Sequence, residues 1–156
     1  MLLFVLACVG PSDSATPLEP AVELGTGEWE WQDLHDEINV ILGPQGGYHI
    51  LGSVRTRGLL AGDPENLGEP TNPTTHFEVL FNDEDLIISS DYVQGLEPID
   101  DGEWTHEMVG RFAILSISSD DELDGEDVLF RVTVTDTEGL ELSAERTLTC
   151  FPDPRN

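Results

Sequence analysis

The chain has 156 residues, of which 32 are acidic and six basic, a formal charge of −26. That length suits one domain with a real core, since a chain near this size buries roughly 70% of its unfolded surface. Nucleic acid and bare anionic membrane surfaces are excluded as partners: counterion release needs clustered Lys or Arg, and here the only basic residues are six scattered arginines. Two cysteines give no disulfide framework.

Residues 1–8, MLLFVLAC, are an apolar run followed by Gly10-Pro11 and the Pro/Ser/Glu-rich stretch PSDSATPLEP. The run is too short to span a bilayer. It resembles a bacterial lipoprotein signal peptide, whose cleavage box ends in a small residue followed by the cysteine that receives the lipid. The resemblance implies a signal over residues 1–7, acylation of Cys8, and a flexible tether over 8–20 that holds the domain off the membrane. The other reading is a plain apolar N-terminus. Val9 follows the cysteine in place of the Asp that marks inner-membrane retention, which makes the outer membrane the expected location.

The folded domain is expected over 21–151, with 152–156 as a tail. Trp29 and Trp31 share a face at strand spacing and are expected in the core or at its rim. Gly43-Pro44 and Gly46-Gly47 bracket a turn before a strand from Tyr48 to Thr56. Along it Tyr48, Ile50, Val54 and Thr56 take one face, and His49, Leu51, Ser53, Arg55 and Arg57 the other. The segments VELGTGEWEW and GPQGGYHILGSVRTRGL, with FRVTVTDTEGLELSAERTLTC near the end, resemble a group of uncharacterised secreted lipoproteins of Gram-negative bacteria. That resemblance implies an immunoglobulin-like β-sandwich and carries no catalytic residues across.

Residues 61–74 hold three prolines and two glycines and form a loop. Thr75 to Phe81 is a strand with Phe77, Val79 and Phe81 inward and His76 and Glu78 outward. Asn82-Asp83-Glu84-Asp85 turns it back into Leu86 to Ser90 as a hairpin. After a loop region over 91–108, Phe112 to Ile117 is apolar on both faces except for Ser116, as expected of a central strand.

Asp127 to Cys150 is the clearest stretch. Val128, Phe130, Val132 and Val134 alternate with Leu129, Arg131, Thr133 and Thr135, the pattern of a half-buried strand. Asp136-Thr-Glu-Gly139 closes a hairpin, and Leu140, Leu142, Ala144, Leu148 and Cys150 form the apolar face of the second arm. Arg146 falls on that face, which requires a bulge, the rim of the fold or an acidic partner. Such a face must be covered by a second layer. The expected fold is therefore all-β, an immunoglobulin-like two-sheet antiparallel sandwich of seven or eight strands.

Chemistry-bearing candidates are few. Asp120, Asp121, Asp124 and Asp127 form either a solvated turn or a loose calcium site between loops, and no other cofactor is expected. An EF-hand begun at Asp120 is excluded, because Arg131 stands where its bidentate Glu is required. His49 and His76 would suit a transition metal if their strands were paired. His106-Glu107 begins like a zinc-protease motif and lacks the second histidine. No Gly-x-Ser-x-Gly elbow occurs, and Cys150 reads as a buried, inert thiol. Arg55 and Arg57 form a basic stripe, suited either to cross-strand pairing with Glu or to an anion. Trp104 and the 61–74 loop are candidates for binding an envelope protein or a glycan. The expected function is a non-enzymatic binding or structural module, with the membrane reached through the lipid anchor. The alternative is a metal-binding surface lipoprotein.

Overall fold

A computed structural model of the chain describes residues 18–89 and 91–156. Cys8, the signal-like segment and most of the tether lie outside the described residues. The described chain is all-β, with twelve strands and one short 3-10 turn at Asp120–Glu122. In chain order the strands are β1 (Ala21–Thr26), β2 (Gln32–Asp33), β3 (Glu37–Leu42), β4 (Tyr48–Arg57), β5 (Thr74–Phe81) and β6 (Glu84–Asp85). They continue as β7 (Ile87–Ser89), β8 (Asp91–Val93), β9 (Glu97–Pro98), β10 (His106–Leu115), β11 (Asp127–Thr135) and β12 (Glu141–Pro152). The expectation of seven or eight strands is too low. Seven strands have six residues or more. The other five, of two or three residues each, are too short to show a period in sequence.

The strands gather around two centres. β4 is flanked by β1 and β10, and β10 carries β7 and β9 on its far edge. β11 is flanked by β12 and β5, with β6 and β8 beyond β5. β3 joins the two groups. Glu37–Val40 runs parallel to Thr149–Pro152 of β12, and Ile41 and Leu42 then pair antiparallel with His49 and Tyr48 of β4. The apolar faces of the two groups meet at Gly52 of β4 and Phe77 of β5, where an added Cβ would stand 2.5 Å from the ring. Around this contact lie Ile50, Val54 and Ala113 from one group and Val79, Phe130, Val132 and Val134 from the other, all fully buried.

The C-terminal hairpin forms as its alternation predicts. β11 and β12 pair without a break from Asp127↔Thr149 to Thr135↔Glu141, and Gly139 takes a φ of 86° at the turn. Arg146 lies in regular register, so there is no bulge; it stands at the exposed rim and pairs with Asp36 at 3.3 Å. The C-terminal tail is packed rather than loose. Asp153 is buried, and the Asn156 side chain accepts from the Leu42 N–H and donates to the Val40 carbonyl.

Three further expectations are corrected. The hairpin from Thr75 to Ser90 stops early. Asn82 and Asp83 turn tightly with φ of 52° and 65°, β6 lasts two residues, and the chain then crosses to pair β7 with β10. The Asp85 carboxylate holds the crossing by accepting from the Val79 and Ile87 N–H groups. Trp29 is 85% exposed and is not in the core; residues 28–30 form a bend between β1 and β2, which breaks the strand spacing with Trp31. The third correction concerns β10, which is not apolar on two covered faces.

A bulge in β10 accounts for this. Met108 opposes Val54, and Arg111 opposes Gly52, so β10 spends one residue more than β4 over the same interval. One extra residue exchanges the two faces of everything that follows. Met108, at an even position, points into the core before the bulge; Ala113 and Leu115, at odd positions, do so after it. Phe112 and Ile114 are thereby turned outward, 46% and 37% exposed.

Candidate functional site

The outward side of β4 carries His49, Leu51, Ser53, Arg55 and Arg57 in a row. β10 lays its outward residues beside them, with Phe112 opposite Leu51, Ile114 opposite His49 and Glu107 opposite Arg55. This side divides into a charged end, a polar middle and an apolar end.

At the charged end, Arg55 stacks on the Trp31 ring at 4.5 Å and bonds Glu107 at 3.0 Å and Asp101 at 3.2 Å. Trp31 is fixed in turn over Gly25, where a Cβ would meet its ring at 2.3 Å, and its indole N–H donates to Asp33 at 2.8 Å. Arg57 stacks on Trp104 at 4.8 Å, pairs with Glu103 at 2.8 Å and donates to the Glu19 carbonyl. The two arginines, each sandwiched on an indole and neutralised by carboxylates, knit β4 to the loop before β10. Cross-strand pairing is thus realised at Arg55, and Trp104 serves as the platform for Arg57.

The middle holds a polar cleft of about 550 Å³ between β3, the bend after β1 and the C-terminal tail. Glu28, Asp33, His35 and Glu37 line it with Asp153 and Arg155. Arg155 spans the cleft. Its guanidinium bonds Asp153 at 2.8 Å and Glu28 at 3.4 Å, and the Asp153 carboxyl is held below its usual range by that guanidinium.

The apolar end is a groove of about 390 Å³ formed by the turn at Gly43–Gly47 with Tyr48, His49, Phe112 and Ile114. The turn is fixed by hydrogen bonds from Gly43 N–H to Gly47 O at 2.7 Å and from Gly46 N–H to Gly43 O at 2.9 Å. His49 packs against Phe112 with ring centroids 4.5 Å apart. Burial lowers the His49 pKa and keeps the imidazole neutral at neutral pH. No charged side chain lines this groove. On β7, whose Ile87 packs toward the core, Ile88 is 66% exposed.

The expected ligand sets fall elsewhere. His49 and His76 cannot share a metal through strand pairing, because β4 and β5 belong to different strand groups and do not pair. His76 instead contacts Asp91, and His49 packs on Phe112. Asp120 and Asp121 lie in the 3-10 turn capped by Ser119. The Asp120 carboxylate accepts from Asn156 at 2.7 Å and the Asp127 carboxylate from Thr149 at 2.7 Å, while Asp124 is exposed. Among the described residues no group of three or more His, Cys, Asp or Glu side chains is gathered to hold a metal ion. Cys150 is fully buried, and burial pushes its thiol up to about 12.

Phe112, Ile114 and Ile88 escape a reading by alternation, because all three look like core residues. The sequence signal that exposes Phe112 and Ile114 is Gly110 inside the strand, a mark of a bulge. Compared with protein-family models, with curated proteins and with solved structures, the chain matches none.

Proposed function

We propose that this protein is a non-enzymatic binding module of the bacterial cell envelope, anchored by a lipid on Cys8, with its strands arranged as an immunoglobulin-like sandwich. The sandwich reading draws support from β3, which passes from one strand group to the other, and from the Gly52–Phe77 contact between their apolar faces. The anchor reading draws support from the apolar run ending at Cys8 and the proline-bearing tether behind it.

The observation that carries the binding role is the apolar end of the β4–β10 face. Apolar side chains exposed together beside a concave groove are a recurrent mark of interaction sites. Here a backbone bulge turns two large apolar side chains out of the core beside a ready-made groove. The face is a docking surface, and a rigid sheet holds it in shape with little to reorganise on binding.

The test is a photo-crosslinking residue at position 112 in a Gram-negative host, combined with metabolic labelling by a clickable fatty acid. The expected result is label on Cys8 and a discrete crosslinked adduct in the envelope fraction. An unlabelled chain recovered free of the membrane, with no adduct from position 112, defeats the proposal.

A further inference from the structure

We infer that the groove beside Phe112 receives an extended, basic segment of a partner protein, in which apolar residues alternate with Lys or Arg. The inference rests on reading the β4–β10 face as a docking surface and goes further by naming the chemistry of its occupant. Two properties decide it.

The first is the groove itself. Pro44, Tyr48, His49, Phe112 and Ile114 present apolar and aromatic surface without a charge among them. Such a surface takes an aliphatic side chain or the methylene stem of Lys or Arg, and an aromatic ring further favours a cation placed over its face.

The second is the net field of the whole chain. The chain carries 32 acidic residues, and each of its six arginines is engaged. Arg55 and Arg57 are tied as described above, Arg131 bonds Glu78 and Glu145, Arg146 bonds Asp36, and Arg155 bonds Asp153 and Glu28. Arg111 donates to the Gln94 side chain and the Val109 carbonyl and lies over the Tyr92 ring. Five of the guanidiniums are thus paired with carboxylates and Arg111 bonds only neutral groups, so against 32 acidic residues an approaching molecule still meets net negative potential. A second copy of this chain, carrying the same −26, is repelled, as is an anionic lipid surface. A cationic polypeptide is steered in, and the apolar groove then gives it a place to stop.

The experiment measures fluorescence anisotropy of three labelled synthetic peptides on the purified domain at about 0.15 M salt, where long-range attraction is screened. One peptide alternates Lys with Leu, one Lys with Ser, and one Glu with Leu. The expected order is Lys–Leu binding at least about tenfold more tightly than Lys–Ser, with Glu–Leu not binding. In the variant Phe112→Ser/Ile114→Thr, the Lys–Leu peptide should fall to the level of Lys–Ser. Both side chains are partly exposed, and circular dichroism checks that the fold survives. Ile88→Ser, at a more exposed neighbouring position, gives a second reading of the same loss.

Equal binding of Lys–Leu and Lys–Ser, unchanged binding by both variants, or binding of Glu–Leu each overturns the inference. So does a concentration-dependent dimer abolished by the Phe112 variant, which assigns the groove to a second copy. An adduct from position 112 in cells, with no discrimination among the three peptides, leaves the docking surface standing and removes only the basic occupant.

Discussion

Gly110 lies against the backbone carbonyl of Glu28, so closely that a Cβ on Gly110 would stand 2.2 Å from that oxygen. The contact seats the β10 bulge against the bend after β1. Gly110 has a φ of 70°, its N–H donates to the Ser53 hydroxyl at 3.1 Å, and the strand leaves the bulge with its faces exchanged. The outward position of Phe112 and Ile114 therefore depends on a glycine that touches neither.

Gly110→Ala should accordingly cost more than its backbone angle alone. Gly139→Ala is the control, because Gly139 has a φ of 86° with nothing within 4 Å of an added Cβ. A left-handed angle at a non-glycine costs about 1–2 kcal/mol, and that should be the whole effect at Gly139. At Gly110 the clash with a backbone oxygen adds to it, and the expected loss is at least about 3 kcal/mol. Urea midpoints at unchanged m-value measure both; equal losses would mean that the bend after β1 gives way freely.

Gly52→Ala tests the meeting of the two strand groups. The added methyl would stand 2.5 Å from the Phe77 ring, and that ring is held by stacking on Phe130 at 5.7 Å and by an edge contact with Tyr92 at 6.2 Å. Overpacking of this kind costs about 1–3 kcal/mol. Phe77→Leu alone opens a cavity, and in the double variant the two defects should relieve each other, with a coupling of about 1 kcal/mol or more in urea unfolding. Simple additivity would show that the two residues do not press on each other.

What could be read from the residues follows from where the information lies. Val128 to Val134 alternate without interruption, and β11 is buried on that face throughout. Local pattern suffices there because the strand is regular and one face is covered. It fails at β10 because a bulge changes the phase midway, so a window that ignores Gly110 sees apolar residues on both faces. It fails again at Leu86, where the change of strand partner depends on the distant β10 and leaves no local mark. His49 and His76 have the same cause: whether two strands pair is a property of topology, which neither segment records. For Arg146 the pattern leaves a bulge, the rim or an acidic partner, and the last two are realised together. The groove at the end of β4 was half legible. Gly43–Gly47 marks a turn, but the far side of the groove is made by Phe112 and Ile114 of the distant β10.

Asp136 should make the fold sensitive to acid. Its buried carboxylate accepts from the N–H groups of Leu60 at 3.1 Å, Glu138 at 3.0 Å and Leu140 at 2.9 Å. These bonds, that from Leu60 foremost, depress its pKa in the folded protein. A carboxyl with a depressed folded-state pKa contributes stability that is fully present above the unfolded value, about 3.9. That contribution is lost as pH falls through the lower folded value. Asp136→Asn should lower stability at neutral pH by about 1.5–3 kcal/mol and should flatten the decline below about pH 4. Asp153, depressed by Arg155, keeps its own share of the acid response. Parallel pH profiles for wild type and variant would show that Asp136 titrates alike in both states.

Cys150 should be silent to thiol reagents while the protein is folded. Its side chain is fully buried against the core, and its thiol is pushed up to about 12, first by burial and then by the charge of Asp127. Both access and thiolate fraction oppose reaction near neutral pH, so modification requires the chain to open. Iodoacetamide should therefore label Cys150 at a rate that follows unfolding, rising with urea, and should label it at once in full denaturant. Peptide mapping by mass spectrometry is the proper readout, because it separates Cys150 from Cys8 in any preparation where Cys8 carries no lipid. Rapid native labelling at Cys150 would mean that β12 frays from β3 near Ile38, its register partner, and that the junction between the two strand groups is looser than its hydrogen bonds imply.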